Sequence, residues 1–278
     1  MKLIILFSCV KKIFQNQPIG IFDSGIGGLT VAHAIKKLLP DENLIYFGDT
    51  AHLPYGDKSE DAIVSYSKKI VDFLLQKNCK LIVMACNSAS AVAYSFIKNY
   101  VSKEIKVINV IDPVAEEVIG QFHDKVVGVI GTKVTIESGI YYKKINGINN
   151  IILKGLSTPL LVPMIESGWV NNQISYDIVK EYLDDESLKN IELLILGCTH
   201  YPLILPEIKR YYGNGTVQIL DSPRLVALVV KNYLTQTNLL STQINEPDQF
   251  FVSDFTPSFE SSSKLFFHKE VSLQKHLF

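Results

Sequence analysis

Three short stretches of this chain occur twice, in the same order and at nearly the same spacing. Pro18-Ile19-Gly20-Ile21-Phe22-Asp23-Ser24 is echoed by Val126-Val127-Gly128-Val129-Ile130-Gly131-Thr132, offset by 108 residues from Gly20 to Gly128. The run Leu81-Ile82-Val83-Met84-Ala85-Cys86 returns as Leu193-Leu194-Ile195-Leu196-Gly197-Cys198, offset by 112 between the cysteines. Asn109-Val110-Ile111-Asp112-Pro113 returns as Gln218-Ile219-Leu220-Asp221-Ser222-Pro223, offset by 109 between the aspartates. Apolar strands recur in every α/β chain. Each echo here also matches a glycine or polar position, so the chain reads as two copies of one unit.

Within each copy, short apolar runs alternate with stretches of helical spacing. A continuous apolar run reads as a strand buried on both faces of a parallel sheet. Pro18 to Phe22 is the first strand; it passes through Asp23-Ser24-Gly25-Ile26-Gly27-Gly28 into a helix carrying Leu29, Ala32, Ile35 and Leu39, which Pro40 ends. Leu44 to Phe47, the Cys86 run, Val107 to Ile111 closed by Asp112-Pro113, Val126 to Thr132, the Cys198 run and Gln249 to Val252 read as further strands. Helices are expected through Ile63 and Leu74, through Val92 and Tyr100 with Ser88 as N-cap, through Val226 and Tyr233, and near Leu265. The expected fold is α/β, two similar doubly wound parallel-sheet (flavodoxin-like) domains related by a pseudo-two-fold axis. One domain takes residues 1–113 and 225–278, with Asp23 and Cys86; the other takes 114–224, with Cys198. No Gly/Ser linker separates them, so the lobes should pack tightly around a cleft that holds the site.

Charge and cysteine usage narrow the function. Of 278 residues, 27 are basic and 28 acidic, a balance that offers no electrostatic footprint for nucleic acid or a membrane surface. The four cysteines (Cys9, Cys79, Cys86, Cys198) contain no CxxC pair, which argues against a zinc site or disulfide framework and fits a reducing cytoplasm. No apolar run approaches a membrane span. Leu3 to Phe7 is too short for a secretion signal core and Lys11-Lys12 follow at once, so residues before Pro18 are expected to be a short extension.

Cys86 and Cys198 hold equivalent places, each ending an apolar strand just before a polar turn. Ligands bind at that edge of an α/β sheet. Alone, each cysteine could equally be a small buried hydrophobe. As a duplicated pair, they would look into one cleft from opposite sides. That arrangement suits one reaction type: a thiolate removes a proton from carbon, and the opposite thiol delivers one to the other face, inverting the centre. A helix N-terminus should lower the Cys86 pKa and so raise its thiolate fraction. The glycines at 25, 27 and 28 should bring backbone N–H groups close to a bound anion. Their spacing is not that of a dinucleotide fingerprint, and no P-loop lysine follows.

Five motifs together carry a family resemblance. Asp23-Ser24-Gly25-Ile26-Gly27-Gly28-Leu29, Gly48-Asp49-Thr50-Ala51-His52, Pro54-Tyr55-Gly56, Ala85-Cys86-Asn87-Ser88-Ala89 and Gly197-Cys198-Thr199-His200-Tyr201-Pro202-Leu203 closely resemble the glutamate racemases, over roughly residues 18–252. The resemblance implies cofactor-independent interconversion of L- and D-glutamate, supplying D-glutamate for bacterial peptidoglycan in the cytoplasm; a homodimer is a candidate assembly that the sequence itself does not reveal. It implies Cys86 and Cys198 as the acid/base pair, assisted by Asp23 and His200 respectively. Substrate contacts would come from Asp23, Ser24, Tyr55, Gly56, Asn87, Ser88, Thr199 and His200, with Asp49 and Glu166 as acidic positions nearby. One departure is that the family usually carries threonine where Ser88 stands; serine keeps the hydroxyl.

No pyridoxal lysine motif or metal cluster is visible to stabilise a carbanion, so the protein must stabilise the substrate carboxylate as it takes on enolate charge. Arginine is absent from the motif turns. The expected donors are backbone N–H groups with Ser24, Asn87, Ser88 and Thr199. Cys79 reads as structural, Cys9 as irrelevant to chemistry, and His33 as a surface residue. His52 and Asp57 read as loop support for Tyr55, with His52 a candidate for the cleft wall. Lys133 reads as a solvated helix-start residue and Trp169 as packing near the lobe interface. The competing readings are a racemase or isomerase for another substrate, such as aspartate, hydantoin or maleate, and a non-catalytic amino-acid binder. His200 within the full motif set argues against the first, and a thiol on each face against the second.

Overall fold

The computed structural model describes residues 14–213, 215–242, 246–255 and 257–278. Cys9 and the start of the N-terminal extension lie outside the described residues. In chain order the strands are β1 (Ile19–Asp23), β2 (Leu44–Gly48), β3 (Leu81–Met84), β4 (Lys106–Asn109), β5 (Val126–Gly131), β6 (Ile152–Ser157), β7 (Leu193–Gly197), β8 (Gln218–Ile219), β9 (Gln249–Val252) and β10 (Leu273–Lys275). The helices are α1 (Leu29–Leu38), α2 (Glu60–Gln76), α3 (Asn87–Val92), α4 (Tyr94–Tyr100), α5 (Ile111–Gln121), α6 (Lys133–Glu137), α7 (Ile140–Ile145), α8 (Leu161–Glu166), α9 (Gln173–Leu183), α10 (Leu205–Tyr212), α11 (Ser222–Gln236) and α12 (Pro257–Phe267).

The strands form two all-parallel sheets, one of order β10-β9-β2-β1-β3-β4 and one of order β6-β5-β7-β8. The order β2-β1-β3-β4 in the first is the order β6-β5-β7-β8 in the second, so the echoed sequences occupy equivalent strands. Every residue of β1, β3 and β7 is buried, as continuous apolar runs covered by helices on both faces require. In both sheets the strand order reverses beside the first strand of the unit, the switch point where doubly wound sheets open a crevice. Asp23 and Cys86 leave that point on one side; Thr132 and Cys198 leave it on the other. After β8 the chain returns to the first sheet, where β9 pairs with β2, and α11 packs on α1 and α5.

Local chemistry sets the element ends, and differs from expectation at several of them. Ser59 caps α2 by accepting from the Ala62 N–H, with Glu60 and Asp61 in the first turn. At α3 the cap is Cys86 itself, in extended conformation, whose Sγ accepts the Ala89 N–H at 3.4 Å; Ser88 lies inside the helix. The helix expected through Tyr100 breaks at Ala93 into α3 and α4. Asp112-Pro113 opens a helix rather than closing a strand, because Asn109 Oδ1 accepts the N–H groups of Ile111 and Asp112, both at 2.8 Å. Trp169, expected to pack near the lobe interface, is 52% exposed. His33 is half-buried, its ring against Phe267 and His268. Cys79 is a buried core residue, its thiol pushed up to about 12 by burial.

Glycine at position 48 is a steric requirement of the site. Gly48 pairs with Asp23, and a Cβ there would stand 2.2 Å from the Gly25 carbonyl oxygen. That same oxygen accepts the Tyr46 hydroxyl at 2.8 Å, so the turn cannot yield without losing a buried hydrogen bond. Gly48→Ala is therefore expected to cost about 1–3 kcal/mol of stability through overpacking, read as a lowered Tm in thermal unfolding. An unchanged Tm would show that the turn accommodates the methyl.

Candidate active site

The turns after β1, β3 and β7 converge on one cavity between the sheets. The space between its lining residues is about 580 Å³, part of it continuous with solvent. Ser24, Tyr55, Gly56, Cys86, Asn87 and Ser88 line it from one side, and Cys198, Thr199 and His200 from the other. Asp23, Asp49 and Glu166 stand behind this wall. The two sulfurs therefore share a single cavity.

Asp23 is fully buried at the end of β1, and its Oδ2 accepts the N–H groups of Gly25 at 3.1 Å and Gly28 at 3.0 Å. The anion that the glycine turn cradles is thus the protein's own carboxylate, and not a bound ligand as the spacing alone suggested. Burial raises the Asp23 pKa against the opposing pull of His200 and these N–H donors. The glycines serve close approach. A Cβ on Gly28 would lie 2.6 Å from the Asp23 Cβ, and one on Gly27 would lie 2.3 Å from His200 Nδ1.

Cys86 faces Ser24 Oγ at 3.6 Å. Burial, then the charge of Asp23, pushes its thiol up to about 12, and the Ala89 N–H and Ser24 only partly offset them. The expected lowering by the helix N-terminus is overridden, because desolvation of a thiolate outweighs one short helix and one N–H. Cys198 has a different neighbour, His200, whose Nδ1 lies 3.7 Å from its Sγ and whose Nε2 lies 3.0 Å from Glu166 Oε1. Burial opposes charge on the imidazole, but the contacts with Cys198 and Glu166 prevail and raise its pKa to about 10. The imidazole thus stands between a sulfur and a carboxylate, placed to hold a proton beside Cys198. The two sulfurs thus have different ionisable neighbours, Asp23 for Cys86 and His200 for Cys198.

Contacts across the lobes set the remaining geometry. Ser88 Oγ and Thr132 Oγ1 are 2.8 Å apart, the Tyr141 hydroxyl donates to Asn87 Oδ1 at 3.0 Å, and Thr30 Oγ1 donates to the Thr199 carbonyl at 3.1 Å. Asp49 accepts from the Tyr55 hydroxyl at 2.6 Å, from His52 Nδ1 at 2.8 Å and from Ser253 Oγ at 2.7 Å. It supports the cavity wall from behind. His52 stays out of the cavity, whereas Asp57 and Lys133 line it. Sequence reasoning passed over Thr132, Tyr141 and Thr158. The echo that aligns Thr132 with Ser24 was the available signal for the first. Neither of the chain's two arginines, Arg210 and Arg224, lines the cavity. Among the described residues, no group of three or more His, Cys, Asp or Glu side chains is arranged to hold a metal ion.

Comparison with known proteins is consistent along the chain. Residues 28–229 match the family model described as Asp/Glu/Hydantoin racemase. The glutamate racemase of Neisseria meningitidis serogroup A is 40% identical over 259 residues, covering 92% of this chain and 95% of that protein. The structure of glutamate racemase from Francisella tularensis in complex with D-glutamate superposes with a TM-score of 0.86 at 36% identity, covering 94% of this chain and 98% of that one. Glutamate racemase isoform RacE1 from Bacillus anthracis gives a TM-score of 0.86 at 32% identity, covering 94% and 98%. The chain belongs to the Asp/Glu/Hydantoin racemase family, among its glutamate racemases, and is by that membership an isomerase.

Proposed function

We propose that this chain interconverts L- and D-glutamate without a cofactor, through the thiols of Cys86 and Cys198, and so supplies D-glutamate for peptidoglycan in the bacterial cytoplasm. The observation that carries the reading is the pair of strand-end cysteines on one cavity, each with a different ionisable partner. The division of labour follows the predicted lobes, residues 1–113 with 225–278 against 114–224.

In the resting site Cys86 holds a proton and Cys198, facing the His200 imidazolium, serves as base. The Cys198 thiolate takes the α-proton of the enantiomer that presents it. The Cα–H electron pair moves into the adjoining carboxylate, which becomes an enolate-like dianion. Cys86 then delivers its proton to the opposite face of Cα, forming the new C–H bond and leaving a Cys86 thiolate. The site is now set for the reverse reaction, so no proton is gained or lost overall. Asp23, buried beside Cys86, assists in returning that sulfur to its thiol form. Glu166 holds the His200 ring and its charge.

An α-proton is weakly acidic, so the enolate charge must meet prearranged donors. With no arginine on the cavity, that role falls to Ser24, Asn87, Ser88, Thr199 and N–H groups of the cysteine turns other than those Asp23 and Cys86 already engage. Tyr55-Gly56 would hold the other end of the substrate, braced by Asp49. A bound structure with the α-carboxylate held by a pair of arginines would refute this arrangement.

Cys86→Ser and Cys198→Ser are each expected to lower racemisation by about 10²–10⁴-fold, the usual worth of a general acid or base. Polarimetry or circular dichroism of purified protein with each enantiomer reads this, and loss below tenfold would contradict the two-thiol assignment. The pH dependence has a definite sign. The raised His200 pKa means that its charge is complete below the ordinary histidine range, about 6.5, and is lost as pH rises through about 10. Turnover in the direction that uses Cys198 as base should fall along that alkaline limb. Glu166→Gln removes one cause of the raised pKa, so the limb should move to lower pH; an unmoved limb would remove Glu166 from the mechanism.

A further inference from the structure

Tyr141 takes no part in the mechanism above, yet it is only 3% exposed and joins the two cysteine turns. Its hydroxyl crosses from α7 to the first lobe and donates to Asn87 Oδ1 at 3.0 Å. Its ring lies beside the other turn: a Cβ built on Gly197 would meet the ring at Cε2, 3.6 Å away. Asn87 follows Cys86 and Gly197 precedes Cys198. One rigid side chain therefore touches the neighbour of each sulfur. Burial, and then the nearby Cys198, raise its phenol pKa well above the ordinary range, so the hydroxyl keeps the proton it donates.

An amide side chain has one accepting end and one donating end, and a half-turn about its last bond exchanges them. Asn87 lines the cavity where a substrate carboxylate would gain negative charge. With the oxygen turned inward it would repel that charge. With Oδ1 engaged by Tyr141, Nδ2 is the end left to donate. We propose that Tyr141 is a positioning residue: it fixes the Asn87 amide so that its NH₂ faces the substrate carboxylate, and it sets the spacing between the two cysteine turns. This rests on the reading of the cavity as a glutamate racemase site.

The test is a double-mutant cycle on steady-state racemisation in both directions, with wild type, Tyr141→Phe, Asn87→Ala and the double variant. Phenylalanine keeps the ring and its packing, so the thermal unfolding temperature should remain near that of wild type. Loss of one ordering hydrogen bond should lower kcat/KM in both directions by about tenfold, with the larger part in kcat because Asn87 meets charge that develops in the transition state. Because Tyr141 acts through Asn87, the double variant should be no worse than Asn87→Ala alone. Effects on kcat/KM that multiply in the double variant, or a kcat/KM unchanged by Tyr141→Phe, would overturn the proposal. So would a loss of activity that merely tracks a loss of thermal stability. A wild-type protein inactive on glutamate would overturn the parent reading as well, whereas an active wild type with an unaffected Tyr141→Phe variant would overturn this inference alone.

Discussion

The architecture depends on how closely two turns can approach. The turn after β1 and the turn after β7 meet with no space for an extra methyl: a Cβ at Gly27 would overlap the His200 ring and stand 2.6 Å from Thr199 Oγ1. Thr30 ties the same two turns together, its single hydroxyl proton shared between the Gly27 and Thr199 carbonyls. Contact this tight holds the Cys198 turn against the first lobe, on the cavity that Cys86 also lines. It also brings a carboxylate from one lobe, Asp23, and an imidazole from the other, His200, into one buried electrostatic system. In such surroundings a charge is costly unless it has a partner, and the partners decide which groups are charged.

The two halves share a topology but differ in electrostatics. On the first side the neighbour of the cysteine is a buried carboxylate; on the second it is an imidazole backed by a second carboxylate, Glu166. A symmetric pair of thiolates would leave no proton to deliver, and a symmetric pair of thiols no base to begin with. In the proposed mechanism, the difference between Asp23 and the His200–Glu166 pair is what breaks that symmetry at rest. In the proposed reaction one sulfur gains a proton as the other gives one up, which would make the same site competent in both directions.

Much of this was legible in the sequence, for particular reasons. The three echoes exposed the duplication because strand ends at a switch point carry both an apolar run and a fixed polar residue, and both repeat. The cysteine turns and the motif set around them were equally plain. What escaped was tertiary. That Cys86 caps its own helix, and that burial overrides the helix's effect on its thiol, depends on how deeply the turn is covered. The ownership of the Gly25 and Gly28 N–H groups by Asp23 is a matter of side-chain direction, which glycine spacing does not encode. β6 escaped because Ile152–Ser157 mixes polar and apolar residues, and β10 because three residues at an edge carry little periodicity. Tyr141 lay hidden because its partner is 54 positions away in the other lobe.

The most direct test of two opposed sulfurs is the isotope carried by the first product in heavy water. Begun from protiated L-glutamate, the reaction should yield early D-glutamate that carries deuterium at Cα, while the L-glutamate still present keeps its protium. The proton is taken on one face, and a solvent-equilibrated proton is given on the other. Early D-glutamate that retains protium would mean that a single group both takes and returns the proton, and would contradict the confrontation of Cys86 and Cys198 across the cleft.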